Sequence, residues 1–422
     1  WHGTLLPASD GDRWLASSFA RFHEFVAHER EMRRKHDAKD SDPLSAAERD
    51  ELAVQLFNLG VATADEGASC ASVPLRKLTF DPSSDAPYRS AAGRGVMLLS
   101  ELRRRLTAEV FDPAMDAFGR EHAGKVTTSS AFVAAMTAAA RGASGTPSID
   151  RPALAEFFGA WLDSGDYLPA LKMSSVQTDH RNGFTVSGSV TSKGGCTPSD
   201  VDVTLETESS EITKSFPFDS AGVAHFKFDS ESKPARITVN KYFQTPCANV
   251  PRWTTSSYKR DLEHTLIVYG TREESEANKI AATKLRQAII NQWQHSVVPV
   301  NADVEIADAD IQSHHLVLVG RPASSPLIER LSRSLPITFS AQTFTARGKV
   351  YAHEQSAVAV AGANPENSAL SVVVVAGLSP LATFKAAEAL PASPPTAARI
   401  FPAGAKAADI IPPGSGLTRA LP

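Results

Sequence analysis

Phe184-Thr185-Val186-Ser187-Gly188-Ser189-Val190 alternates apolar and small polar residues with a period of two. That spacing predicts a half-buried β-strand, whose successive side chains point to opposite faces. Val201-Asp202-Val203-Thr204-Leu205, Ala224-His225-Phe226-Lys227-Phe228 and Arg236-Ile237-Thr238-Val239 share the pattern, and Gly, Ser and Asp turns bound them. Residues 173–262 are therefore expected to form a β-sandwich. Upstream, apolar residues recur at i, i+3 and i+4 behind Ser, Thr or Asp caps, so residues 1–172 are expected to be a helical region. Downstream, the apolar runs are continuous: Thr265 to Tyr269, Leu316 to Val319, Ala357 to Val360 and Ser371 to Ala376. Helical stretches near 273–295, 326–334 and 382–387 separate or follow them. Continuous apolar strands belong to sheets covered on both faces, so residues 263–390 are expected to be an α/β layered domain. The fold class is multidomain α+β. After Leu390, Pro, Ala and Gly dominate, and residues 391–422 are read as a tail extended over the surface or anchored to a partner.

A chain of 422 residues is long enough for several domains, each with its own core. With 21% charged residues and a formal charge of -4, no global field favours nucleic acid or an anionic membrane. No window reaches the roughly 18 apolar residues of a membrane span. Glu29, Arg30, Glu31, Arg33, Arg34 and Lys35 are read as the solvated face of one helix. The basic run Arg103-Arg104-Arg105 is read as a solvated helix end favoured by the macrodipole.

Three short motifs occur in order: Trp1-His2-Gly3, Trp14-Leu15-Ala16-Ser17-Ser18-Phe19-Ala20, and Arg94-Gly95-Val96-Met97-Leu98-Leu99-Ser100-Glu101-Leu102-Arg103. Together they resemble the gluzincin zinc aminopeptidases, of the alanyl-aminopeptidase and leukotriene-hydrolase type, across residues 1–172. The resemblance implies a zinc helix carrying two His ligands just upstream of Trp1, and a third ligand, a Glu, at the position of Ser17. Ser18 stands where the family has Gly. It also implies that a Lys-Gly pair opens the later helix, with a catalytic Tyr two residues before it, at Ala92. Catalytic zinc needs three protein ligands and an open position for water, and a Ser hydroxyl is a poor substitute for a carboxylate. The family Tyr donates a hydrogen bond to the oxyanion, which an Ala methyl cannot do. Tyr88, four residues earlier, would be a displaced substitute. A small β-sandwich following the catalytic domain is likewise implied.

The reading that follows is a non-catalytic structural or interaction subunit derived from such an enzyme, with no catalytic residues, no cofactor and a protein partner. The alternative is one half of an active zinc aminopeptidase, whose His ligands come from an upstream fragment or separate chain and whose third ligand is Asp12 or Glu24. His23 and His28, at i and i+5, point about 140° apart on a helix and are read as solvated. Cys196 and Cys247 both fall in the sandwich, where they form a disulfide or remain buried thiols; the disulfide would suit the exported or periplasmic location favoured here. Cys70 stays apart. In the α/β domain, Gly270 and Gly320 end strands where such sheets bind ligands, but neither opens a G-x-G-x-x-G motif or a P-loop. Of His314 and His315, one is expected to be buried and hydrogen-bonded and the other solvated. No G-x-S-x-G elbow is present.

Overall fold

The structure is a computed structural model, and it describes residues 4–35, 44–142, 151–180, 183–207, 210–249, 253–293, 297–404, 408–413 and 417–421. Trp1-His2-Gly3 lies outside the described residues. The chain divides into two units: Trp1–Glu48, Gln55–Val250 and Gly414–Pro422 form the first, and Arg49–Val54 with Pro251–Pro413 the second.

The first unit opens with helices α1 (Arg13–Lys35), α2 (Ala46–Phe57, of which Arg49–Val54 is assigned to the second unit), α3 (Ala86–Leu106), α4 (Ala108–Glu121), α5 (Ser129–Gly142) and α6 (Arg151–Leu162). Aromatic residues at helical spacing make its core. Phe132 of α5 is fully buried, with Trp14, Phe19, Phe118 and Phe158 around it at ring separations of 5.7, 6.0, 5.2 and 6.4 Å. Four of these rings meet it near edge-on, the geometry favoured by opposed ring quadrupoles.

The sandwich follows, with β1 (Ala170–His180), β2 (Phe184–Lys193), β3 (Asp200–Thr207), β4 (Glu211–Pro217), β5 (Val223–Ser230) and β6 (Pro234–Val239). One sheet has the order β1-β2-β5. The other joins β6, β3 and β4 and gains a further strand at its edge from Thr418–Ala420, which pairs antiparallel with β6. The alternation is visible in β5, where Ala224, Phe226 and Phe228 are buried between outward His225, Lys227 and Asp229. Val186, Val190, Val201, Val203, Leu205, Ile237 and Val239 complete the core between the sheets.

The second unit is built on a seven-stranded sheet. Its elements are β7 (Thr265–Tyr269), α7 (Ser275–Gln292), β8 (Val300–Ala302), α8 (Asp308–Ser313), β9 (His315–Val319), α9 (Pro326–Ser332), β10 (Ala357–Asn364), β11 (Asn367–Gly377), α10 (Pro380–Ala389), β12 (Ala398–Phe401) and β13 (Asp409–Ile411). The strand order is β8-β7-β9-β11-β10-β12-β13. The first four strands are parallel to one another, and the rest join antiparallel. Side chains of α7 and α10 cover one face. Those of α8 and α9 cover the other, together with a small antiparallel sheet of Ile337–Phe339, Phe344–Ala346 and Lys349–Tyr351. Thus the segment after Leu390, read from its composition as a tail, contributes β12 and β13 to this sheet and one strand to the sandwich. No helix among the described residues is long and apolar enough to cross a membrane.

Candidate functional site

Asp12 sits in the turn that leads into α1 and is 9% exposed. Its Oδ1 accepts the Ser129 backbone N–H at 2.6 Å and the Ser129 hydroxyl at 2.7 Å, and its Oδ2 accepts the Ser9 hydroxyl at 2.6 Å. Burial pushes its carboxyl up, but these donors outweigh burial and hold it below the usual range. Ser129 Oγ in turn accepts the Trp14 indole N–H at 3.0 Å. Asp12 is therefore the anchor at the N-terminus of α5, where a carboxylate also meets the helix dipole favourably. Both of its oxygens are engaged.

One turn along α1, the Ser17 hydroxyl turns back on its own helix, within 3.1 Å of the carbonyls of Arg13 and Trp14. Ser18, fully buried, donates to the Trp14 carbonyl at 2.6 Å. Here α1 meets α3 at backbone distance: a Cβ added to Gly95 would lie 2.6 Å from both Cβ and Oγ of Ser18 and 3.1 Å from the Trp14 ring. Ala92, 3% exposed, lies one turn before Gly95 on α3, so Ser17 and Ala92 sit on two packed helices within about a turn of their crossing. The expectation that α3 opens at Arg94-Gly95 is corrected. It begins at Ala86, so Tyr88 and Ala92 are both helical and share a face at i and i+4. Tyr88 is 39% exposed; its hydroxyl accepts from Arg13 Nη1 at 3.2 Å, and its ring packs on Phe80 at 4.6 Å. Arg13 is itself held by Asp10 at 2.8 Å.

His23 and Glu24 are exposed on α1 and His28 is half-buried. Among the described residues, no group of three His, Cys, Asp or Glu side chains is placed to hold a metal ion.

Buried Arg94 was not singled out from the sequence. Its Nη1 donates to the Val73 carbonyl, its Nη2 to the Ser164 carbonyl at 3.2 Å, and its guanidinium lies 4.4 Å from the centre of the Tyr167 ring. No carboxylate pairs with it among the described residues, and burial pulls its pKa down. It ties α3 to two loops through neutral acceptors.

The basic run after it is also corrected. Arg103 clasps Asp112 with two bonds of 2.8 and 3.0 Å and reaches Glu29 at 2.7 Å. Arg104 bonds Asp200 at 2.5 Å and Asp202 at 3.2 Å on β3. Arg105 bonds the Thr197 carbonyl and Glu101, at 3.1 Å for the latter, and covers the Phe157 ring. These arginines fasten α3 to α1, α4 and the sandwich, and Glu29 and Arg30 share the network through Arg103 and Asp112. Three consecutive cations on a helix fan through about 200°, so each meets a different neighbour. A helical-wheel reading signals the fan and the i,i+4 pair of Arg105 with Glu101; the other acidic partners, 9 to 98 residues away, carry no sequence signal.

Cys70, Cys196 and Cys247 are free thiols. Of the two readings for Cys196 and Cys247, the structure has separate thiols, not a disulfide. Cys247 lies in the sandwich core, where its sulfur accepts from Asn240 at 3.6 Å. Cys196 stands beside Arg105, 3.8 Å from Nη2. Burial pushes both thiols up.

In the second unit, Gly270 and Gly320 end neighbouring strands β7 and β9, and their missing side chains admit protein, not ligand. A Cβ on Gly270 would fall 2.2 Å from Ser324 Oγ; one on Gly320, where φ is +123°, would fall 2.5 Å from the same atom and 3.0 Å from Asn278 Nδ2. Asn278, 1% exposed, donates to the Gly270 and Glu273 carbonyls at 3.1 and 3.0 Å. Arg321 closes the rim, bonded to Glu274 and the Ala341 carbonyl, each at 3.0 Å. His315 is buried, and its Nδ1 accepts the Ser371 backbone N–H at 3.0 Å with the Ser371 hydroxyl at 2.8 Å. Half-buried His314 turns Nδ1 to the Asp310 carbonyl at 2.9 Å. His315 is the buried, hydrogen-bonded member of the expected pair, whereas His314 is only partly solvated and is itself hydrogen-bonded.

No family model matches the chain, and no curated protein is similar to it. One solved structure it is similar to is aminopeptidase A of Legionella pneumophila, in complex with aspartic acid, at 12% identity and a TM-score of 0.31. The match covers 62% of this chain and 29% of that one, so the chain spans under a third of the length of that protein.

Proposed function

We propose that this chain is a non-catalytic structural or interaction subunit derived from a gluzincin zinc aminopeptidase, with the former catalytic helices retained as a scaffold for a protein partner. The observation that carries the reading is at Ser17. The residue standing where the family has its anionic ligand spends its hydroxyl on carbonyls of its own helix, 3.1 Å away. Ala92 supplies no oxyanion donor, and loss of one such donor costs about 3 kcal/mol of transition-state stabilisation in enzymes that use one. The two-chain alternative needs another carboxylate. Asp12 has both oxygens committed to Ser9 and Ser129, and freeing it would unfasten the start of α5.

The test is metal analysis of the purified protein, combined with release of an N-terminal amino acid from aminoacyl substrates, for the unmodified chain and for Ser17→Glu. Both are expected to hold zinc well below one per chain and to show no turnover. Stoichiometric zinc in the unmodified chain, with chelator-sensitive amino-acid release, would overturn the proposal.

A further inference from the structure

The parallel half of the second unit's sheet places a crevice where β7 and β9 end. The helix after β7, α7, packs on one face of the sheet, and the helix after β9, α9, on the other. Adjacent parallel strands that send their connections to opposite faces open a crevice at their carboxyl ends. Ser324 and Asn278 fill its centre, as described above. Space remains beside it on the α9 face, in a cavity of about 310 Å³ lined by Asp303, Ile306, Ile311, Pro326, Leu327 and Arg330 among others. That is the lower end of the range for small-molecule sites.

The lining is chemically divided. Asp303, just past the end of β8, is 9% exposed, and its carboxylate has one partner, the Thr271 hydroxyl at 2.6 Å on Oδ1. Among the described residues no cation pairs with it. An incoming ammonium would add a charge-assisted hydrogen bond to a carboxylate that has a single protein donor. Arg330, on α9, is ion-paired with Asp308, which also lines the cavity, at 3.7 Å and with Glu366 at 3.9 Å, but both lie beyond hydrogen-bond distance. Between the charges the floor is apolar: Ile311 is 2% exposed, and Ile306 and Leu327 pack against the core.

A carboxylate lacking a cation, a guanidinium lacking a hydrogen-bonded acceptor and an apolar floor in one small cavity are the complement of a zwitterion with a hydrocarbon side chain. We propose that this cavity binds a free apolar α-amino acid. Its ammonium lies on Asp303, its carboxylate on Arg330, and its side chain over Ile306 and Leu327. The site is independent of the Ser17 region, so the failure of either proposal leaves the other standing.

Calorimetric titration of the full chain with L-leucine, N-acetyl-L-leucine and L-leucinamide tests it. Leucine should bind saturably. Acetylation, which removes the ammonium charge, should abolish binding, and the amide, which lacks the carboxylate, should bind roughly tenfold more weakly. Asp303→Asn should weaken leucine binding by at least about tenfold. Arg330→Gln should weaken leucine by about tenfold and leave leucinamide unchanged, because the lost contact is one that leucinamide does not make. Arg330 is exposed, so its variant carries the test even if Asp303→Asn fails to fold. Absence of saturable leucine binding at millimolar concentrations, equal binding of N-acetyl-leucine, or undiminished leucine binding in Arg330→Gln would each overturn the proposal.

Discussion

Exchanging the two small residues at the crossing of α1 and α3 tests whether their contact sets the spacing of the helices that carry Ser17 and Ala92. Gly95→Ala alone has two opposed effects. Replacing Gly by Ala inside a helix is worth about 1 kcal/mol in propensity. Against this, the new Cβ would stand 2.6 Å from Ser18 Cβ, an atom fixed to the α1 backbone, and 3.1 Å from a Trp14 ring tethered to Ser129. Overpacking of that kind costs about 1–3 kcal/mol, and neither neighbour yields easily, so the net loss is expected to be about 1–2 kcal/mol. Ser18→Gly loses about 0.5 kcal/mol of propensity, and about as much again with the hydroxyl's bond to the Trp14 carbonyl. Added as independent sites, the two would cost about 2–3 kcal/mol. In the double variant the 2.6 Å clash with Ser18 is gone, only the 3.1 Å approach to Trp14 remains and the Ala propensity is realised, so its cost should fall below about 1 kcal/mol, a coupling of about 2 kcal/mol. Urea unfolding of the four full-length proteins, with slopes compared as well as midpoints, gives the cycle. Additivity within about 0.5 kcal/mol would refute the reasoning, because it would mean that the Gly95 Cβ position and Ser18 do not compete for space.

Two further outcomes follow from buried charge. Arg104→Ala should destabilise the first unit by about 2–3 kcal/mol, less than the roughly 3–5 kcal/mol for breaking a fully buried pair because Asp200 is partly exposed, since it removes the guanidinium that bridges Asp200 and Asp202. Arg104→Lys should recover less than half, because one ammonium cannot present a planar fork to two carboxylates; a loss under about 0.5 kcal/mol for Ala, by urea unfolding, would restore the solvated-end reading. Burial pushes the Lys259 ammonium down to about 8, beside the Trp293 ring and with the Pro391 carbonyl as its hydrogen-bond acceptor at 2.7 Å. The unfolded chain therefore binds more protons than the folded one between about pH 8 and 10.4, so stability should rise with pH across that window. Lys259→Met should be more stable at pH 7 and should lack this rise, by thermal unfolding against pH; equal slopes in both proteins would refute the assignment.

The period of the apolar residues was enough to find β2, β3, β5 and β6, because each buries one face, and enough to find β7, β9, β10 and β11, because each is buried on both. It did not mark β4. Glu211-Ile212-Thr213-Lys214-Ser215-Phe216-Pro217 is an edge strand in which no residue is fully buried, so its alternation is weak. The strand at Thr418–Ala420 was equally silent, since all three residues are exposed and only pairing with β6 defines it. At the Ser17 region the motif gave the order of residues but not the extent of α3. A Pro at the second helical position with Asp85 before it marks the true start at Ala86.

Asp12 and Asp303 show why burial does not by itself identify a functional carboxylate. Both are 9% exposed. Asp12 accepts three hydrogen bonds, from Ser9 and from the backbone and hydroxyl of Ser129, and those donors, with Arg76 nearby, stabilise its charge. An added ligand would have to displace bonds that hold α5 in place. Asp303 accepts one, from Thr271, and lines an open cavity with Arg330 opposite in charge. A cationic ligand gains least where protein donors already occupy the carboxylate, as at Asp12, and has a free acceptor position where they do not. The same count of donors separates Ser17, whose hydroxyl is spent within its own helix, from a side chain poised to bind a metal. Around Ser17 the hydroxyls and the Asp12 carboxylate are spent on the protein itself, whereas Asp303 has one protein donor beside an open cavity.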